Sequence, residues 1–455
     1  MNVSEDRTLA LGKDKIGSLL WLYAWPAVLS QIISSIYNIA DRVFIGQGVG
    51  ALAISGLAIT MPVMNIIHAF GSLVGAGAGA RMSIVLGKKD VNWAENILGN
   101  AMLLTFFFGF IFVAGGYFFM DDILTLFGAT PETISYAREY LMIVLPGMFL
   151  TTLTYNLVSL MRSSGYPKRS MAILVSGAIL NLILDPIFIF VLKAGISGAA
   201  WATTISMALT AVFSVLHFVS RKSFIRFRRH SWKPRLYIFR NIIMIGMSPF
   251  LMNVAASAVV ALLNSQLIKY GGDLAVGAYG ICNTYGSFLV MGILGICQGM
   301  QPIAGYNYGA GLSARLKDVY TLTLKLNVAV GTVGAILGVA IPRLLSRAFT
   351  SDAELVAISS AAFPYLLVMF PLIGFTITNS NFFQSIDKPW IAIVTSLSRQ
   401  VIFLAPMSVL IPMLFVKAGW NSLSGVWISC TISDVLGAIL AGALLLTQLK
   451  VFRTR

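Results

Sequence analysis

Four polar side chains stand out against an apolar background: Asp41, Asn181, Asp185 and Thr203. Each falls inside a run of apolar residues rather than in a loop. Asn181 and Asp185 are four positions apart, so on a helix they share one face, one turn from each other. Pro186 follows directly, and inside a helix it would free the carbonyl of Leu182 four residues back. Carboxylates, an amide oxygen, a hydroxyl and a freed carbonyl are hard donors. They suit a monovalent cation such as Na+. They suit a proton equally, because a desolvated carboxylate beside a second one readily takes one up. The bland alternative is a hydrogen-bond network that ties the helices together. Ionisable groups inside apolar helices are costly and mark transport pathways by default, which favours the functional reading.

Other residues carry weaker signals. Pro26 lies well inside the first apolar run and frees the carbonyl of Leu22. It reads either as a hinge, whose bend follows protonation of Asp41, or as a static kink. Gln31, Tyr37, Met61, Met64 and Asn65 are placed to line a substrate cavity for flat lipophilic cations, and are equally ordinary packing residues. His68 reads as a polar packing residue. Asp434, near the middle of the last apolar run, is expected to pair with Arg399 as a structural charge pair. Cys282, Cys297 and Cys430 lie in apolar runs and form neither a disulfide framework nor a metal motif. No H-E-x-x-H, G-x-S-x-G or Walker A sequence is present, so no enzyme is expected. No cofactor is expected beyond Na+ or H+ as coupling ion, and pumping would have to draw on an ion gradient.

These residues must be positioned by helices. The chain has 455 residues, 57% hydrophobic and 11% charged, with a net charge of +15. Soluble proteins carry about 25% charged residues. So few charges exclude a water-soluble enzyme, a nucleic-acid binder or a disordered scaffold. Long apolar windows, from 17–45 to 424–448, recur about twelve times, which predicts an all-α integral membrane protein with about 12 transmembrane helices. With the amino terminus cytoplasmic, Lys and Arg concentrate in the inside loops, and Lys193, Lys269, Arg343, Arg347 and Lys417 are the outside ones. Both termini are therefore expected in the cytoplasm. The connection RKSFIRFRRHSWKPR (221–235) reads as a basic linker near anionic lipid rather than an RNA site.

The sequence also repeats. One offset pairs Leu52-Ala53 with Leu274-Ala275, Ile59 with Ile281, Gly77 with Gly299, Gly87 with Gly309 and Pro167 with Pro389. An offset one residue longer pairs Pro26 with Pro249. An even number of helices precedes the second copy, so the repeat is parallel and pseudo-symmetric. The expected organisation is a cytoplasmic tail (1–16), an N-terminal six-helix bundle (17–220), the basic cytoplasmic linker (221–238), a C-terminal six-helix bundle (239–448) and a second cytoplasmic tail (449–455).

Four stretches resemble one known family over essentially the whole chain. They are QGMQPIAGYNYGA (298–310), with its first-half echo GAGAGARMSIVLGKKD (75–90), Ala40-Asp41, the Asn181-to-Pro186 block, and GAAWAT (198–203). Together they are similar to the multidrug and toxic compound extrusion (MATE) family. The resemblance implies two six-helix bundles forming a V around a central cavity. It also implies secondary efflux of lipophilic or cationic drugs by antiport with Na+ or H+, through alternating access. Asp41, Asn181, Asp185 and Thr203 match the cation-site pattern of the DNA-damage-inducible-F-like prokaryotic branch. Another branch carries acids in the seventh and tenth helices. Here those helices hold Asn264, and Asn379, Asn381 and Gln384, so no coupling site is expected in the second bundle. The implied setting is a prokaryotic plasma (inner) membrane, with small-molecule organic substrates and membrane lipid as partners, no nucleic acid, no obligatory protein partner and a monomeric state. Two rivals are a lipid-linked oligosaccharide flippase of the same superfamily and an intramembrane enzyme. The span count and the scarcity of inward bases weigh against the first, and the lack of a nucleophile–base motif against the second.

Overall fold

The computed structural model describes residues 3–221 and 223–452. Lys222, residues 453–455, and the side chains of residues 3–7 and of Ala51 lie outside the description, and with them part of the basic inner charge read from the sequence (Arg7, Lys222, Arg453, Arg455). Among the described residues every regular element is helical. In order these are α1 (Val3–Lys13), α2 (Ile16–Gly48), α3 (Ala51–Gly87), α4 (Val91–Phe118), α5 (Met120–Leu126), α6 (Ile134–Ser163), α7 (Pro167–Pro186) and α8 (Gly195–Val219). They are followed by α9 (Leu236–Gly309), α10 (Ser313–Ala340), α11 (Pro342–Arg347), α12 (Ala353–Leu367), α13 (Phe370–Ser385), α14 (Pro389–Leu397), α15 (Ala405–Lys417) and α16 (Ser422–Thr447).

Ten of these segments are long and apolar enough to cross a bilayer, and the bent pair α12–α13 counts as an eleventh span. The 74-residue α9 would measure about 110 Å as one rod, several times the hydrocarbon thickness. It is divided at Gly272, whose φ of 69° and ψ of −169° are not helical, so it is two helices rather than one rod. Many large apolar side chains point outward, among them Phe110, Phe118, Val191, Ile336, Leu414 and Ile439. An apolar surface of this extent is the mark of a helix bundle whose solvent is lipid.

The repeat is written in the backbone. Gly50 (φ 117°) and Gly272 (φ 69°), Lys89 (φ 61°) and Gly311 (φ 73°), and Gly165 (φ 95°) and Asp387 (φ 60°) are pairs at the sequence offset, each a left-handed turn between helices. Pro167 and Pro389 follow the last pair at the first turn of α7 and α14, where a missing N–H costs nothing.

The chain divides into two compact units. The first holds the chain up to Asp14, then Trp25–Phe250 and Gly305–Ala310; the second holds Lys15–Ala24, Leu251–Ala304 and the chain from Gly311 onward. The cut within α2 falls between Ala24 and Trp25, next to Pro26. In the first unit α6 packs between α3 and α8 around Ile45, Leu57, Tyr140, Val144 and Met148. In the second, α10 packs on α13 and α15 on α16 around Leu263, Leu267, Phe363 and Trp427. The three cysteines are buried and free.

Two segments have structure that the sequence reading did not describe. The amino-terminal residues, expected as a polar tail, form the helix α1; Thr8 and Leu11 are buried, and Asn307 Nδ2 donates to the Leu11 carbonyl at 3.0 Å. The apolar group at Leu9–Leu11, hidden among charges, gives this short helix a face to bury. The basic linker is fastened to the first unit. Asn100 of α4 donates to the carbonyls of Ser231 (3.4 Å) and Lys233 (3.1 Å) and accepts from the Arg235 N–H (2.8 Å). Glu95 pairs with Arg228 at 3.4 Å. Gly99 makes the close approach possible, because a Cβ there would lie 2.0 Å from the Ser231 carbonyl.

Candidate functional site

One end of the first unit brings Asn181 and Asp185 (α7) and Thr203 (α8) together with Asp41 (α2) nearby. The helical spacing of Asn181 and Asp185 puts both on the face of α7 that meets α8, and both are buried. Asn181 Nδ2 donates to Asp185 Oδ1 at 3.2 Å and to Thr203 Oγ1 at 3.3 Å. The Asp41 and Asp185 carboxyl groups stand within electrostatic reach of each other. Pro186 ends the regular helix directly after Asp185, and the chain continues as a π-turn, Ile187–Val191. Such wide turns recur at functional sites.

The donors do not match the acceptors. Asp41 Oδ1, Asp185 Oδ2 and Asn181 Oδ1 are all buried with no hydrogen-bond partner. Each unsatisfied buried polar atom costs about 1–3 kcal/mol, and more where it is charged. Three acceptor oxygens in one place, two of them carboxylate, fit a group that brings positive charge: a hard cation, or protons on the carboxyls.

Two tyrosines complete the surroundings. Tyr37 lies within electrostatic reach of both carboxylates, and so does the buried Tyr140 of α6. Tyr140 was not singled out in the sequence. The available signal was general: a buried tyrosine hydroxyl seeks a partner. Arg42, next to Asp41 in the chain, was also missed. It stands within electrostatic reach of that carboxylate and donates to Met61 Sδ at 3.5 Å.

From Asn181 and Thr203 a cavity of about 110 Å³ extends inward between α2, α3, α6, α7 and α8. Tyr37 lines it, and so does His68, which therefore faces space rather than packed side chains. Gln31, Met61, Met64 and Asn65 do not line this cavity. Met64 packs against the core cluster, and Asn65 is exposed. Pro26 lies inside α2, where Ser30 Oγ donates to its carbonyl at 2.8 Å.

The second unit is different. Asp434 of α16 is 4% exposed and accepts from Arg399 Nη1 at 3.0 Å. Arg399 stands in a π-turn, Ser398–Leu404, that follows α14. This is a closed pair of opposite charges. At the repeat offset from Asp41, the second unit has Asn264.

A family model described as MatE matches residues 26–187 and 249–410, two stretches in register with the repeat. The chain belongs to the MatE family. It is 27% identical over 419 residues to the multidrug export protein MepA of Staphylococcus haemolyticus (strain JCSC1435), which covers 92% of this chain and 91% of that protein. Among solved structures, one described as MATE in the bent conformation matches with a TM-score of 0.90 at 23% identity, over 98% of this chain and 97% of that one. Another, MATE in the straight conformation, matches with a TM-score of 0.89 at 24% identity, over 97% of each chain. These likenesses establish the fold, and with it a multi-pass membrane protein of the MatE family.

Proposed function

We propose that this MatE protein exports lipophilic or cationic small molecules by exchange against H+ or Na+. The observation that carries the reading is the set of three buried, unpartnered acceptor oxygens on Asp41, Asn181 and Asp185. The likeness to multidrug export proteins over nine-tenths of the chain supports the substrate class. In the cycle, an ion taken up from outside occupies the oxygens of Asp41, Asn181, Asp185 and Thr203. Uptake weakens substrate binding or bends α2 at Pro26, and substrate leaves outward. Return to the inward-facing state gives the ion up to the cytoplasm. For exchange to occur the two states must differ in ion affinity. Relatives of this fold solved in a bent and a straight conformation support the existence of two such states. We place the protein in a prokaryotic plasma membrane as a monomer with both termini cytoplasmic.

Everted membrane vesicles test the reading. Asp41→Asn and Asp185→Asn should each abolish ion-driven accumulation of ethidium while leaving the protein in the membrane. Wild-type accumulation by both variants sinks it.

A further inference from the structure

The face of α8 turned into the first unit is polar along its length. Thr203, Ser206, Thr210, Ser214 and His217 recur at three- and four-residue steps, within an arc of about 80° and a length of about 21 Å. All five are buried, while Trp201, Ile205, Val212, Phe213 and Leu216 cover the outer face. Alanines at 199, 200 and 202 show what close packing alone requires of this helix.

Each polar position has a place in a sequence of contacts. Thr203 accepts from Asn181 at the carboxylate site. Ser206 and Thr210 line the cavity, which is polar and roomy enough to hold several waters. Ser206 Oγ donates to the Ala202 carbonyl and Thr210 Oγ1 to the Met207 carbonyl, both at 2.8 Å, so these hydroxyls offer lone pairs to the cavity. One turn further, Ser214 Oγ is fully buried and has no hydrogen-bond partner. Then comes His217, with Arg169 Nη1 at 3.5 Å from Nδ1 and Ser223 Oγ at 3.4 Å from Nε2. Arginine donates only, so Nδ1 accepts and the ring proton sits on Nε2, facing Ser223. Ser223 belongs to the linker, at the end of the unit away from Asp185.

We propose that this hydroxyl face is a proton path: a proton held by Asp41 and Asp185 leaves through the first unit itself, along α8 to the linker side, with Ser214 joining the cavity water to the His217 end. The proposal rests on the reading of the carboxylates as the coupling site and fixes the coupling ion as H+. A carboxyl O–H bond breaks as its proton passes to a cavity water. Each hydroxyl along α8 turns from its backbone carbonyl, accepts one proton and releases another, and the last proton passes to bulk water beside His217 and Ser223 at the linker end. The carboxylate stays behind, and no electrons change owner. The other titratable groups along the cavity are Tyr37, His68 and Tyr155. Arg162, buried two turns beyond Tyr155 on α6, and Arg169 are the cations of the inner end, and they disfavour a metal ion lodging there.

The test uses the full chain in liposomes, with ethidium transport driven by a pH gradient and followed by fluorescence. Thr210→Val keeps the shape and removes the hydroxyl; Ser214→Ala does the same at small volume. Each should slow pH-driven transport about tenfold, the effect of losing one buried hydrogen-bond partner. Ethidium binding in detergent should be unchanged, and Thr210→Ser should restore the rate. The path is overturned if Thr210→Val and Ser214→Ala run at the wild-type rate, or if Thr210→Ser is as slow as Thr210→Val. It is also overturned if a Na+ gradient drives transport and a pH gradient does not, an outcome that leaves the carboxylate site standing. Loss of transport in Asp41→Asn together with full activity in Thr210→Val removes the path alone, whereas full activity in Asp41→Asn removes the coupling site.

Discussion

The buried pair Arg399–Asp434 offers a quantitative test of whether it holds the second unit together. Asp434 is almost fully enclosed, and Arg399 Nη1 lies 3.0 Å from its Oδ1. Arg399→Met keeps the side-chain stem, which rests against Gly437 (a Cβ there would meet Arg399 Cβ at 3.1 Å), and removes the charge. A carboxylate left alone in such a place destabilises by about 3–5 kcal/mol. At roughly 2–4 °C per kcal/mol, the midpoint of thermal unfolding should fall by about 10 °C. Asp434→Leu strands the guanidinium instead and should cost a similar amount, somewhat less because Arg399 is a quarter exposed. The double variant carries neither charge. It should recover most of the loss, since replacing a buried ion pair by apolar groups of similar volume is near neutral. The assay is survival of the monodisperse peak after heating in detergent, combined with ion-driven ethidium transport by the double variant. A double variant as unstable as the singles would refute the electrostatic argument. A double variant that is stable but inactive would refute the structural role and make Asp434 part of the coupling machinery.

Four further outcomes are expected. Gly99→Ala should free the linker from α4, because its Cβ would lie 2.0 Å from the Ser231 carbonyl; hydrogen exchange of residues 223–235 should rise by more than tenfold while the helices stay protected. Gly309→Ala should cut the yield of folded protein sharply, since the added Cβ would sit 2.0 Å from the Ile84 carbonyl and neither is a flexible side chain; quantitative size-exclusion chromatography reads this out. Lys89→Gly should raise the unfolding midpoint, by about 1 kcal/mol in stability, because φ is 61° there and the repeat partner Gly311 already has the residue the turn prefers. The reverse experiment, Gly311→Val, should lower stability by about 1–2 kcal/mol.

The carboxylate site was legible because its members are out of place. Asp41, Asp185 and Asn181 interrupt apolar helices, and in lipid such interruptions are too costly to be incidental. The pairing of Asp434 with Arg399 was legible for the same reason. Tyr140 was not, since a tyrosine in an apolar run looks like any aromatic packing residue until a neighbour for its hydroxyl is known. The polar face of α8 escaped notice too: Ser and Thr are common in membrane helices, and the significance of Ser206, Thr210 and Ser214 comes from the cavity beside them. Arg162 reads in sequence as an inside loop residue, yet it is buried in the last turn of α6. Charge counting locates a membrane face but does not say which charges the fold has enclosed. At the amino terminus, composition alone suggested a solvated tail, and three apolar residues were enough to make a packed helix.

The way Asn100 holds the segment between the repeats has a practical consequence. Its last hydrogen bond is to Arg235, and α9 begins at Leu236. The segment therefore has no slack before α9 begins. A reporter domain inserted between Lys233 and Arg235 would prise the strap from its seat. Labels and cleavage tags belong at turns that nothing fastens.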